Sequence, residues 1–267
     1  MCATCGCGDD GATITTPGHT HLHPHEHDHL HEGEHVHTET ITLEQKVLAK
    51  NDELAERNRA WLAARNILTL NLTSSPGAGK TTLLERAIRD LHPDRPVAVI
   101  EGDQETLLDA ERIRAAGARA VQVNTGAGCH LDATMVQRAL EALDPEPGSL
   151  LFIENVGNLV CPALFDLGER SKVVVISVTE GDDKPLKYPH MFAAAGLVIV
   201  NKIDLLPYVS FDLEKCCDYV RSLNRDAQIL AMSAATGDGS SRWYEWIDDC
   251  ANSASVLAPV DKTRPRE

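Results

Sequence analysis

Seven short apolar runs punctuate the chain between residues 67 and 232, with helix-forming stretches between them. They are "ILTLNLT" (67–73), "VAVIE" (97–101), "AVQVN" (120–124), "LLFIEN" (150–155), "KVVVISV" (172–178), "LVIVN" (197–201) and "AQILAM" (227–232). Each has the length and composition of a buried strand. Strands of this kind alternating with helices predict an α/β fold, a parallel β-sheet with helices on both faces. Functional residues then gather at the carboxyl ends of the strands. Upstream, "ITLEQKVLAKNDELAERNRAWLAARN" (41–66) spaces apolar residues at helical intervals among good helix formers, predicting a helix that leads into the core. Near the other end, Trp243 and Trp246 form an i,i+3 pair that reads as packed.

Composition divides the chain further. Residues 1–40 hold three cysteines, few large apolar side chains and nine histidines between His19 and His37. Such a segment buries too little surface to fold alone, so it is expected to be a disordered metal-binding tail. The expected organisation is that tail at 1–40, a helix at 41–66, the main domain at 67–254 and a disordered end at 255–267. The 267 residues are 43% hydrophobic and 24% charged, enough for one sizeable core with appendages. A net charge of −15 argues against a nucleic-acid partner. No run is long enough for a membrane segment, and no signal-peptide pattern opens the chain, so a cytoplasmic location is expected. In a reducing compartment the eight cysteines read as ligands or buried thiols.

"SSPGAGKTT" (74–82) follows the first predicted strand and opens a helix, the context a phosphate-binding loop needs. The loop and helix start comprise Ser75, Pro76, Gly77, Ala78, Gly79, Lys80, Thr81 and Thr82. Backbone N–H groups of Gly77, Ala78 and Gly79 would cradle phosphate oxygens. Lys80 would neutralise the β/γ-phosphates, and the Thr81 hydroxyl would hold Mg²⁺. Ser74 stands where the first glycine of such a loop is usual. "NKID" (201–204) follows a predicted strand and resembles the guanine motif of GTPases, so GTP is preferred over ATP. Asp204 would accept from the guanine N1–H and 2-amino groups, while Asn201 and Lys202 brace the pocket. Ser233 and Ala234, in "SAA" after the last strand, sit like a second guanine loop. Asp103 and Glu154 end or nearly end strands that should face the γ-phosphate. Either could hold Mg²⁺ or orient the attacking water, and with Lys80 they form the candidate catalytic set. Glu101 and Asp109 read as solvated loop charges.

Two further constellations suit metals. Cys2, Cys5 and Cys7 with the α-amino group could form a four-coordinate planar site, which Ni²⁺ tolerates and Zn²⁺ does not favour. Cys129, His130 and Cys161 follow strand ends and could meet near the nucleotide. A second copy across a two-fold axis could complete that site, although buried cysteines without a ligand role fit the residues equally well. From His19 to His31 every second residue is histidine, which suits storage or delivery of Ni²⁺, Zn²⁺ or Cu²⁺. Cys216, Cys217 and Cys250 lie in predicted helices and read as structural.

Together "MCATCGCG", the histidine tract, "LTSSPGAGKTTLL", "IEGDQET", "QVNTGAGCHLDA", "ENVGNLVCP", "VTEGDDKPLKYPHMF" and "NKIDLLPY" resemble the HypB family of hydrogenase-maturation GTPases. The resemblance implies a P-loop NTPase domain of the SIMIBI class that hydrolyses GTP with Mg²⁺ and passes Ni²⁺ towards the [NiFe]-hydrogenase large subunit. It implies a nickel site at Cys2, Cys5 and Cys7, and a second nickel or zinc site at Cys129, His130 and Cys161. The partners it implies are a second copy of the chain, joined in a GTP-dependent homodimer, and a HypA-type zinc-containing accessory protein. Two other readings stay open: a GTPase serving urease or a zinc enzyme, and a nucleotide-independent nickel or zinc store.

Overall fold

The computed structural model describes residues 33–91, 95–103, 108–125 and 128–256. The chain divides into two compact units, Met1–Lys50 and Asn51–Glu267. Helix α1 runs Gly33–Ala64, beginning before the Ile41 start that the apolar spacing suggested. Within the second unit its buried positions Asn51, Ala55, Asn58 and Leu62 fall at helical spacing, so one stripe faces the domain. Two of those four residues are asparagines.

The sheet consists of β1 (Leu68–Ser74), β2 (Val97–Asp103), β3 (Arg119–Asn124), β4 (Leu150–Glu154), β5 (Ser171–Ser177), β6 (Leu197–Asn201) and β7 (Gln228–Ala231). All pairs are parallel, in the order β3-β2-β4-β1-β5-β6-β7. Every apolar run in the sequence therefore became a strand, with ends shifted by a residue or two. The helices after α1 are α2 (Lys80–Leu91), α3 (Leu108–Ala115), α4 (Ala133–Leu143), α5 (Lys184–Lys187), α6 (Pro189–Ala193), α7 (Leu213–Leu223) and α8 (Ser240–Val256). Asp132 caps α4 by accepting from Met135 N at 2.7 Å, and Asp212 caps α7 by accepting from Lys215 N at 3.0 Å. Each aspartate satisfies one of the N–H groups that a helix start leaves without an internal partner.

β1 is central and buried on both faces. Leu68, Leu70 and Leu72 pack with Leu83, Leu84, Ile88 and the fully buried Trp243 of α8, which stacks on Trp246 with ring centroids 5.6 Å apart. The opposite face presents Thr69, Asn71 and Thr73, polar yet buried. On that side Leu62, Ala98, Ile100, Leu140 and Leu151 form a second cluster under α1 and α4. A third cluster, around Val174, Phe192, Val198 and Val220, lies beneath α6 and α7. Successive strands leave β1 in opposite directions, so its carboxyl end opens a crevice where ligands bind in sheets of this type. Among the described residues no helix is long and apolar enough to cross a membrane.

Candidate nucleotide and metal site

The turn between β1 and α2 lies in that crevice. Gly77 and Gly79 adopt φ of 75° and 98°, a backbone region that disfavours side chains. At Gly79 a Cβ would also lie 2.6 Å from Asn201 Nδ2. That close approach is functional in form. Asn201 donates from Nδ2 to Ala78 O at 2.9 Å and accepts Ala234 N–H at Oδ1 at 3.0 Å. Lys202, itself at φ 63°, donates from Nζ to Gly77 O at 2.7 Å. Arg86 of α2 donates to Ala234 O at 2.6 Å and to Ala235 O at 2.8 Å, and Ser233 Oγ accepts from Thr236 N at 3.1 Å. The three loops, far apart in sequence, are thus one hydrogen-bonded body. Asp204 Oδ1 is buried without a hydrogen-bond partner, an acceptor awaiting a donor.

Ser74 occupies the position where glycine was expected, and it has its own use. Its side chain is buried, accepts Lys80 Nζ at Oγ at 2.8 Å and donates to Ser75 O at 2.6 Å. Burial pushes the Lys80 ammonium below its ordinary value, while nearby Glu154, Asp109 and Glu180 work in the opposite direction. Glu154 accepts from Thr81 Oγ1 at Oε1 at 2.8 Å, and its Oε2 is buried with no hydrogen-bond partner. Burial pushes its carboxyl above the usual range, against the pull of Lys80 and the Thr81 hydrogen bond. These oxygen donors suit a hard divalent cation such as Mg²⁺. Asp103 ends β2 in register with Asn124, but its side chain lies outside the described residues.

Glu101 overturns its sequence reading. It is 2% exposed, sits in register with Glu154 on the neighbouring strand, and lines the same cavity. The reading as a solvated charge failed because β2 continues through it to Asp103, so the strand carries the carboxylate inside. Asp109 is partly exposed, pairs with Arg112 at 2.9 Å, and also lines the cavity. Arg112 in turn pairs with Glu85 at 2.9 Å, and the hydrogen bond to Glu85 leads the causes that raise its pKa. No motif announced Arg112, which in the sequence is one more charged residue on an exposed helix. The cavity holds about 680 Å³, and Gly77, Lys80, Thr81, Glu154 and Cys129 contribute to its wall. Gly157 lies so near the phosphate loop that a Cβ there would meet Pro76 Cγ at 2.9 Å.

Cys129 leads from this cavity into the metal trio. Its Sγ lies 2.9 Å from Cys161 Sγ and 3.6 Å from His130 Nδ1, and the three donor atoms all fall within 4.8 Å of one another. Cys161 is buried at the start of a short 3₁₀ turn, while Cys129 and His130 are half-buried. The His130 ring packs on Phe165 with centroids 4.0 Å apart. Burial holds its pKa below the ordinary value and so favours the neutral ligating form, while Asp132 works in the opposite direction. Two thiols and an imidazole suit borderline or soft metals. Cys2, Cys5 and Cys7 lie outside the described residues, as does the histidine tract up to residue 32. Cys216 packs in the third core cluster, where burial pushes its thiol up to about 12. Burial likewise raises Cys217, and Cys250 to about 11, so all three are poor thiolate sources.

The sequence pattern of the CobW/HypB/UreG nucleotide-binding domain matches residues 68–231. Hydrogenase maturation factor HypB of Escherichia coli K12 is 59% identical over 208 residues, covering 78% of this chain and 72% of that protein. The chain belongs to the HypB family. Among solved structures, HypB from Archaeoglobus fulgidus is 40% identical with a TM-score of 0.69, covering 77% of this chain and 99% of that one. HypB from Helicobacter pylori in complex with nickel is 36% identical with a TM-score of 0.72, covering 80% and 100%. The seven-stranded parallel sheet is thus the HypB nucleotide-binding fold, and its P-loop architecture is that of a nucleotide hydrolase. Residues of "SSPGAGKTT", "ENVGNLVCP" and "NKID", with Glu101, Gly102 and Cys129, line one cavity of that fold.

Proposed function

We propose that this chain is a GTP-hydrolysing nickel metallochaperone that supplies Ni²⁺ to the [NiFe]-hydrogenase large subunit during maturation. The observation that carries the reading is that Cys129 belongs at once to the nucleotide cavity and to the thiol–imidazole trio. Asn158 strengthens that link, because it lines the cavity and donates to Cys129 O at 3.0 Å.

Asp204 reads guanine through the acceptor that now has no partner. Gly77, Ala78 and Gly79 present their N–H groups to the phosphates, and Lys80 leaves Ser74 to meet the developing negative charge. Thr81 and Glu154, with Asp103, would hold Mg²⁺, which supplies charge neutralisation at the β/γ-phosphates. Glu101 and Glu154 are the buried carboxylates placed to orient the attacking water. Intrinsic turnover is slow. When the γ-phosphate departs, the 155–158 segment loses a contact, and Asn158 passes that change to Cys129.

Cys129, His130 and Cys161 leave a coordination position open. Ligands from a second copy, drawn in by GTP, fill it across a two-fold axis. The tail at 1–40 carries a separate holder, Cys2, Cys5 and Cys7, ahead of the domain at 67–254. A HypA-type accessory protein is the partner that receives or loads the metal in the cytoplasm. The test measures Ni²⁺ and Zn²⁺ affinity and solution mass with GDP and with a non-hydrolysable GTP analogue. Linkage requires nucleotide and metal to change each other's affinity by the same factor. Identical affinity and mass in both nucleotide states would overturn the coupling.

A further inference from the structure

The metal trio is assembled from two stretches of chain, Cys129–His130 and Cys161. Two buried asparagines of α1 bond the backbone downstream of each stretch, at Ala133 and at Asp166 and Leu167. Asn51 accepts Ala133 N–H at Oδ1 at 2.9 Å and donates from Nδ2 to Asp166 O at 2.8 Å. Asn58, on the same face of the helix, donates from Nδ2 to Ala133 O at 2.9 Å and to Leu167 O at 3.1 Å. They are 5% and 3% exposed. Each carboxamide therefore bridges the backbone just after His130 to the backbone just after the Cys161 turn.

The neighbouring contacts hold this arrangement in place. Gly168, at φ 92°, sits so close to α1 that a Cβ would lie 2.7 Å from Ala55 O and 2.7 Å from Asn58 Cβ. Arg59 donates to Glu169 O at 2.8 Å and pairs with Asp166. From the other side, Asn71 of β1 donates to Glu169 Oε1 at 3.1 Å, and Glu169 Oε2 accepts Leu167 N–H at 2.7 Å. Polar groups this deeply buried are costly to leave unpaired, so their partners fix where the backbone runs. The backbone so fixed lies three residues beyond His130 and five to six beyond Cys161.

We propose that Asn51 and Asn58 are positioning residues for the Cys129–His130–Cys161 metal centre. They staple its two ligand-bearing segments together and so set its metal affinity without touching the metal. The proposal rests on the reading of those three residues as a metal centre. Outer partners that orient ligands typically carry about 10–100-fold of metal affinity. Neither asparagine lines the nucleotide cavity, so its loss should act on metal and spare nucleotide.

The experiment uses the full chain with Cys2, Cys5 and Cys7 changed to serine, titrated with Co²⁺ and followed by its thiolate charge-transfer absorption. Cys161→Ser must abolish the band, which identifies it with the trio. Asn51→Ala and Asn58→Ala should each weaken Co²⁺ binding about tenfold or more and shift the band, while GDP affinity changes by less than about twofold. Asn51→Gln guards against loss of folding. It keeps an uncharged amide that can both donate and accept, but displaces it by one methylene, so the two backbone segments are held out of place while no buried group is left without a possible partner. It should weaken Co²⁺ to a similar degree. Unaltered Co²⁺ affinity and band in folded variants would overturn the staple, as would an equal loss of GDP affinity. Absence of the band in the parent chain would instead remove the metal centre, and the proposal with it.

Discussion

The two halves of the site are held in different ways. In the proposed nucleotide half, three of the side chains assigned to the ligand rest on protein partners, Lys80 on Ser74, Lys202 on Gly77 O and Thr81 on Glu154, while Asp204 Oδ1 has none. In the proposed metal half, order is imposed from behind, by Asn158 on the Cys129 carbonyl and by Asn51 and Asn58 on backbone a few residues beyond the ligands. A nucleotide that comes and goes needs residents that can exchange one partner for another at little cost. A metal held by three atoms within 4.8 Å needs those atoms spaced before it arrives, because misplacement is felt directly in affinity.

The comparison breaks most visibly at Lys80. Lys80→Ala should lower GTP turnover about a thousandfold, since the loop backbone cannot replace the lost charge, and leave Co²⁺ binding at the trio unchanged. Phosphate-release assays and metal titration on the same preparation check both halves. Next in size, Cys161→Ala should weaken Ni²⁺ and Zn²⁺ at the trio by more than about a hundredfold, the upper range for outer partners alone. Its GDP affinity should be that of the parent, as competitive titration would report.

Asp204→Asn sharpens the nucleotide side. The amide keeps one acceptor and loses the other charge-assisted hydrogen bond, worth about 1.5–3 kcal/mol, so GTP affinity should fall about ten- to a hundredfold. Xanthosine triphosphate should gain, because the asparagine amide donates where xanthine carries a carbonyl; parallel isotherms for the two nucleotides decide it. The smallest effect belongs to Ser74→Gly. Removing the resting partner of Lys80 should tighten GTP binding a few-fold and destabilise the nucleotide-free protein by about 1 kcal/mol, read from isotherms and denaturant melts. A weaker GTP affinity would mean that Ser74 serves the bound state.

The same contrast explains what could be read in advance. The phosphate loop and the guanine motif are contiguous, so their chemistry is written in neighbouring letters. The strands were legible because the central ones are buried on both faces and so read as short, mostly apolar runs between helical stretches. Glu101 was misread because its fate depends on the register of β2 against β4, which no local pattern records. Asn51 and Asn58 were hidden for a related reason. An asparagine on a charged helix resembles a solvent-facing residue until the partners 75 or more positions away are known. Arg112 likewise gained its place only when α3 packed beside α2.

The reach of α1 has a consequence for the making of the protein. The helix is synthesised early, yet Asn51 and Asn58 complete their bridges only once Asp166 and Leu167 have left the ribosome. Until then the segments that carry Cys129 and Cys161 lack the bridges between them. Contacts this distant along the chain form late and slowly. The Cys129–His130–Cys161 trio is therefore expected to acquire its spacing late, and until the bridges close it offers scavenging metals no finished site.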